Sequence, residues 1–162
     1  MRVRSTTSGR GAQTTVDHHP GLCSEGVAPP RIRVLIVDDD LPLREMTALF
    51  LDGKGYACAA VGNATEAVRC LENETFDLVI TDLHMPGMDG MALLEWVKQH
   101  GSCTKVMMIT GDPDPRAKGL AHQHGVAKYV VKPFVMQEFL RAIKACLQAP
   151  AQPCVPWPAH GG

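Results

Sequence analysis

Residues 76–90 read FDLVITDLHMPGMDG. The first part, FDLVIT, is an apolar, partly β-branched run of strand length. The last part holds Pro86, Gly87 and Gly90 and can continue as neither helix nor strand. Between them stands Asp82. A carboxylate at the tip of an apolar strand is either a turn residue that accepts hydrogen bonds from the following backbone or a reactive group delivered to a crevice. The surrounding pattern decides between the two.

That pattern alternates. RIRVLIV (31–37) is a short strand, and LPLREMTALFLDGKG (41–55) is amphipathic, with Leu43, Met46 and Phe50 on one face and Gly53 or Gly55 as a stop. YACAAV (56–61) is a weak strand. Asn63 with Glu66 forms an N-cap pair that opens a helix through Val68 and Leu71. After the strand at 76–81, Met91, Leu94 and Val97 space a helix from about Gly90 to Gln99. KVMMIT (105–110) is a strand, 115–123 a weak helix, AKYVVK (127–132) a strand, and Met136, Phe139, Ile143 and Leu147 space a last helix over 135–148. The strands are almost continuously apolar, as strands covered on both faces are. Five βα units of this kind imply an α/β protein with a doubly wound parallel sheet and right-handed crossovers. In such sheets the ligand crevice lies outside the carboxyl ends of the strands.

Flanking the alternation are two segments without periodicity. Residues 1–30 are rich in Gly, Ser, Thr and Pro, and 149–162 form a Pro-rich tail containing Trp157; both are expected to be disordered, which leaves 31–148 as the folded domain. Of the 162 residues 45% are hydrophobic and 20% charged, and the net charge is −1 with no basic run. Nothing there favours binding to nucleic acid or to a membrane surface. No apolar run approaches the roughly 20 residues of a membrane helix. The six cysteines are scattered and contain no C-x-x-C pair, so reduced thiols in a cytoplasmic protein are expected.

The strand ends answer the opening question. They carry Asp38-Asp39-Asp40, Asp82, Thr110 and Lys132-Pro133, while the second strand ends at Val61-Gly62 with nothing reactive. In a parallel sheet Asp38, Asp39, Asp82, Thr110 and Lys132 converge. Two carboxylates about 4 Å apart repel by roughly 4 kcal/mol at an effective dielectric near 20. Lys132 supplies one compensating charge, and a hard divalent cation such as Mg2+ (with Mn2+ able to substitute) supplies the rest. A carboxylate beside a divalent cation, an ammonium and a hydroxyl is equipped for phosphoryl transfer. A capping turn explains one aspartate well and three poorly.

VLIVDDD, DLVITDLHMPGMDG, VMMITG and YVVKPF, in that order, resemble the receiver domain of two-component response regulators over about residues 32–148. The resemblance implies a flavodoxin-like (βα)5 fold with strand order 2-1-3-4-5. It implies that Asp82 is the phosphoacceptor and that Asp39 and Asp82 ligate Mg2+ directly, joined by the backbone carbonyl of His84, with Asp38 acting through a bound water. Thr110 and Lys132 would hold the phosphoryl group, and Tyr129 would turn inward as Thr110 engages it. Asp40 matches no metal position; it or the next residue is expected to cap the first helix, with Pro42 in the first turn. His84 and Asp112 stand at rim positions suited to tuning hydrolysis. Pro113, Pro115 and Gly119 weaken the fourth helix, which is expected to be short and mobile.

The implied role is that of a stand-alone signalling domain rather than an enzyme. It would accept a phosphoryl group from the phosphohistidine of a sensor histidine kinase or a histidine phosphotransfer protein. It would then act on an unidentified downstream protein, as a monomer or weak dimer. Alternatives are a phosphorelay intermediate, a phosphate sink, a degenerate docking module, or a phosphatase of the haloacid dehalogenase type. The last needs an acid two residues after the nucleophile, where this chain has His84.

Overall fold

The computed structural model describes residues 31–100 and 103–150. The elements alternate as β1 (Arg33–Val37), α1 (Leu41–Asp52), β2 (Ala57–Val61), α2 (Ala64–Asn73), β3 (Leu78–Asp82), α3 (Gly90–Gln99), β4 (Lys105–Thr110), α4 (Pro115–Gln123), β5 (Lys128–Val131) and α5 (Met136–Gln148). All pairings are parallel, in the order β2-β1-β3-β4-β5, which is the expected flavodoxin-like arrangement. The segments expected to be disordered, 1–30 and the tail from 149, lie outside the described residues except for Ala149 and Pro150.

Successive strand side chains point to opposite faces, so each central strand feeds two cores. Leu35, Val37, Val79, Val106 and Met108 meet Ala64 and Ala67 of α2, Leu93, Leu94 and Val97 of α3 and Ala121 of α4. Val34, Ile36, Leu78, Ile80, Met107 and Ile109 meet Leu51 of α1 and Phe139, Leu140 and Ile143 of α5. This double duty is why β1, β3 and β4 read as unbroken apolar runs. The edge strands differ: β2 and β5 are half-exposed along their length. Cover on both faces therefore holds for the three inner strands only.

Three local readings need correction. The fully buried residues of α1 are Thr47 and Leu51; of the expected face, Phe50 packs against the core and Leu43 is half-buried, but Met46 is 51% exposed. Apolar spacing alone misplaced Met46, because the small Thr47 rather than Met46 is buried. Pro115 does not weaken α4. It occupies the first turn behind the Asp114 cap, where no backbone donor is lost. Reduced thiols hold for Cys58, Cys70 and Cys146, whereas Cys103, on the exposed approach to β4, is disulfide-bonded. Asp40 caps α1 as expected, its carboxylate accepting from the Leu43 N–H at 3.1 Å. Among the described residues no helix is long and apolar enough to cross a membrane.

The chain leaves β1 toward β2 on one side and reaches β3 on the other. The carboxyl ends of β1 and β3 therefore flank the point where the strand order reverses, and a crevice opens there.

Candidate functional site

Asp38 follows β1 directly. Its N–H donates to the Val61 carbonyl at 3.2 Å, which continues the ladder one residue past the strand and draws the side chain under the loop. The residue is 1% exposed. Its carboxylate accepts from the Asp40 N–H at 2.9 Å and from Lys132 Nζ at 2.9 Å. Arg44, one turn into α1, donates from Nη1 to the Asp38 carbonyl at 2.5 Å and ties the loop to the helix. Asp82 closes β3 and is 7% exposed. One carboxylate oxygen accepts from Lys132 Nζ at 2.7 Å, the other from the His84 N–H at 3.2 Å. Asp39 is exposed beside them. One oxygen from each of Asp38, Asp39 and Asp82 lies within 4.8 Å of the others.

Lys132 enters from the far side of the sheet. Its N–H donates to the Thr110 carbonyl at 2.7 Å, and a cis peptide bond joins it to Pro133. Burial pulls the ammonium pKa down, but its bonds to Asp82 and Asp38 more than offset this and hold it above the usual lysine value. Burial pushes Asp38 above the usual carboxylate range, outweighing its bonds to Lys132 and the Asp40 N–H, and the neighbouring Asp82 charge adds to the rise. These two directions are consistent. The ammonium gains from two carboxylates at once, whereas each carboxylate has only a share in one ammonium. With all four side chains ionised, three negative charges face one positive charge. Carboxylate oxygens in excess of cations, partly buried and mutually close, are a donor set that suits Mg2+.

Thr110 ends β4 fully buried, but its hydroxyl is engaged away from the carboxylates. It donates to the Asp112 carbonyl and accepts from the Asp112 N–H, each at 3.1 Å. Tyr129, on the neighbouring strand, is turned inward so that its phenol oxygen is buried beside Thr110. There it faces the Thr110 hydroxyl, which also donates to and accepts from Asp112 and tempers the effect of burial on the phenol. Burial raises the phenol pKa. The His84 and Asp112 side chains are exposed at the rim; His122 and His124, at the far end of α4, are exposed as well, the last paired with Glu95 at 3.4 Å.

The structure thus brings together Asp38, Asp39, Asp82 and Lys132 and sets Thr110 and Tyr129 next to one another. The roles of Arg44 and of the Asp40 and His84 N–H groups were not legible in the sequence. Backbone donors carry no residue signature, and an arginine on an amphipathic helix has many bland explanations.

The loop after Asp82 is shaped by two glycines. Gly87 has φ of 82°, which favours glycine. Gly90, the first residue of α3, lies against the end of β3, where an added Cβ would stand 2.3 Å from the Asp82 carbonyl oxygen. Asp89 caps the helix by accepting from the Ala92 N–H at 2.8 Å.

Comparison with known proteins agrees with this geometry. The family described as "Response regulator receiver domain" matches residues 34–144. The transcriptional regulator NtrC of Escherichia coli is 34% identical over 114 residues, covering 70% of this chain and 24% of that protein. The response regulator MtrA of Mycobacterium tuberculosis is 34% identical over 118 residues, 73% of this chain and 51% of that protein. The chain thus spans between a quarter and about half of these relatives. Among solved structures, a CheY-like receiver domain protein from Methanospirillum hungatei superposes with TM-score 0.69 at 32% identity, covering 73% of this chain and 94% of that one. The chemotaxis regulator CheY4 of Vibrio cholerae gives TM-score 0.68 at 27% identity, covering 72% and 98%. The chain belongs to the response-regulator receiver domain family, the phosphoacceptor module of two-component signalling.

Proposed function

We propose that Asp82 accepts a phosphoryl group from the phosphohistidine of a sensor histidine kinase or histidine phosphotransfer protein, and that the phosphorylated domain then signals in the cytoplasm by contact with another protein. The observation that carries this reading is the Lys132 bridge, 2.9 Å to Asp38 and 2.7 Å to Asp82, over carboxylates from two different strands. In it, Asp82 is the nucleophile, and Lys132 is poised to follow the charge onto a phosphoryl oxygen. Asp38, Asp39, Asp82 and the His84 carbonyl would hold Mg2+, which when bound neutralises the approaching phosphate. Thr110 would turn from Asp112 to the phosphoryl group, and Tyr129, packed beside it, would move with it. The domain acts alone or as one step of a phosphorelay. The DNA binding named for the relatives is not carried over, because the net charge of −1 offers no footprint for it. The His84 side chain at the exposed rim also speaks against a phosphatase of the dehalogenase type.

Incubation with Mg2+ and acetyl phosphate, followed by intact-mass measurement, tests the assignment. The wild type gains one phosphoryl group and Asp82→Asn gains none. Equal labelling of both proteins would overturn it.

A further inference from the structure

Strand β2 brings no reactive group to the crevice, yet the glycine that follows it touches a residue that serves the site. A Cβ added to Gly62 would stand 3.3 Å from Arg44 Nη1, 3.7 Å from its Cζ and 3.8 Å from Nη2. The guanidinium therefore lies against the open face of this glycine. From there Nη1 donates to the Asp38 carbonyl at 2.5 Å. A side chain at position 62 would crowd the guanidinium away from that bond.

The carbonyl that Arg44 holds belongs to the peptide joining Asp38 to Asp39. The rest of the acidic turn is fixed by backbone and carboxylate. The Asp38 N–H donates to the Val61 carbonyl at 3.2 Å, and the Asp40 N–H to the Asp38 carboxylate at 2.9 Å. The Arg44 N–H donates to the Asp40 carbonyl at 2.9 Å. Arg44 thus grips the turn twice, on either side of Asp39. The Asp39 carboxylate is exposed, so the backbone of the turn sets where it points. A guanidinium keeps its charge and donates in a fixed plane, which makes its bond to a carbonyl both strong and directional.

We propose that Arg44 is a positioning residue for the cation site, and that Gly62 is the opening that admits it. Arg44 orients the 38–39 peptide so that the Asp39 carboxylate stands beside those of Asp38 and Asp82. The inference rests on the reading of these three carboxylates as a Mg2+ site. Two effects of Arg44 on that site oppose one another. Its charge repels a divalent cation, and its hydrogen bond orders a ligand. The side chain is partly exposed, so water screens the charge. Groups that orient metal ligands are worth about 10–100-fold in affinity. The ordering effect therefore wins, and the sign of the change on removing Arg44 decides between the two.

Calorimetric titration of Mg2+ into the metal-free full chain reads that sign. Arg44→Ala should weaken binding about tenfold, and Arg44→Lys, whose ammonium can still donate to a carbonyl, by less. Gly62→Ala should weaken it in the same direction. In the double variant Arg44→Ala, Gly62→Ala the two losses should not add, because no guanidinium is left to displace. Unchanged or tighter binding by Arg44→Ala, or additive losses, overturns the proposal. A second readout needs no metal. Arg44→Ala should speed amide exchange at Asp39 and Asp40 in the metal-free protein, and unchanged exchange there overturns the positioning role. Wild-type protein that takes up no Mg2+, or Asp39→Asn that binds it as tightly as wild type, overturns the cation site itself.

Discussion

Asp38 is almost fully buried and shares Lys132 with Asp82. Its folded pKa is raised above the unfolded value of 3.8. The associated stability is therefore present in acid, below the ordinary carboxylate pKa, and is lost as pH rises through the folded value. At neutral pH the ionised carboxylate is a net cost, because burial outweighs its bonds to Lys132 and the Asp40 N–H, and a neutral side chain there carries no such cost. Asp38→Asn should raise the thermal midpoint in metal-free buffer at pH 7, and the gain should shrink toward pH 3. Gly90 shows the opposite sensitivity. Gly90→Ala would force its new methyl onto the Asp82 carbonyl, with strain of about 2 kcal/mol. Chemical denaturation should register that loss, and acetyl phosphate labelling should slow because the strand end bearing the nucleophile is displaced. Which residue types serve the site was legible in the sequence; that Gly90 had to be glycine was not, since close approach of α3 to β3 is a property of their packing.

Among the helices α4 is held least. Ala121 is its only fully buried residue, and a side chain at Gly119 would meet nothing within 4 Å. A glycine in open space inside a helix costs roughly 0.5–1 kcal/mol relative to alanine. Gly119→Ala should therefore slow amide exchange across 115–123 and stabilise the protein by that amount. In the wild type, exchange there should be faster than in β3 and should change on phosphorylation. Exchange as slow as in β3, and indifferent to phosphorylation, would remove α4 as the element that moves. The weakness of this helix was readable from Gly119, but the part assigned to Pro115 was not correct, because a proline at the first helical position removes no hydrogen bond. Met46 of α1 was misplaced for a related reason. Leu41, Met46 and Leu49 are apolar yet about half exposed or more, and apolar spacing cannot tell which stripe meets the sheet.

The acidic crevice exists only in the assembled molecule, because β1 and β3 each bring carboxylates that nothing local compensates. Cation binding there should stabilise the whole fold by mass action, about 2.7 kcal/mol at a Mg2+ concentration 100 times the dissociation constant. Calorimetry should show the thermal midpoint of the wild type rising with Mg2+ and that of Asp39→Asn rising much less. The order of elements, the parallel sheet and the meeting of Asp38, Asp39, Asp82 and Lys132 could be read from the chain, whereas the Thr110 hydroxyl, expected among them, is held by Asp112. Strand period, turn residues and charges at strand ends are local properties written in consecutive residues. The bridge from Lys132 to two strands, the Asp112 hold on Thr110, the burial of the Tyr129 hydroxyl beside Thr110 and the clamp of Lys105 on the end of α5 were decided by tertiary structure alone. Each joins groups that are far apart in the chain or that belong to its backbone, and only the packed sheet brings them within bonding distance.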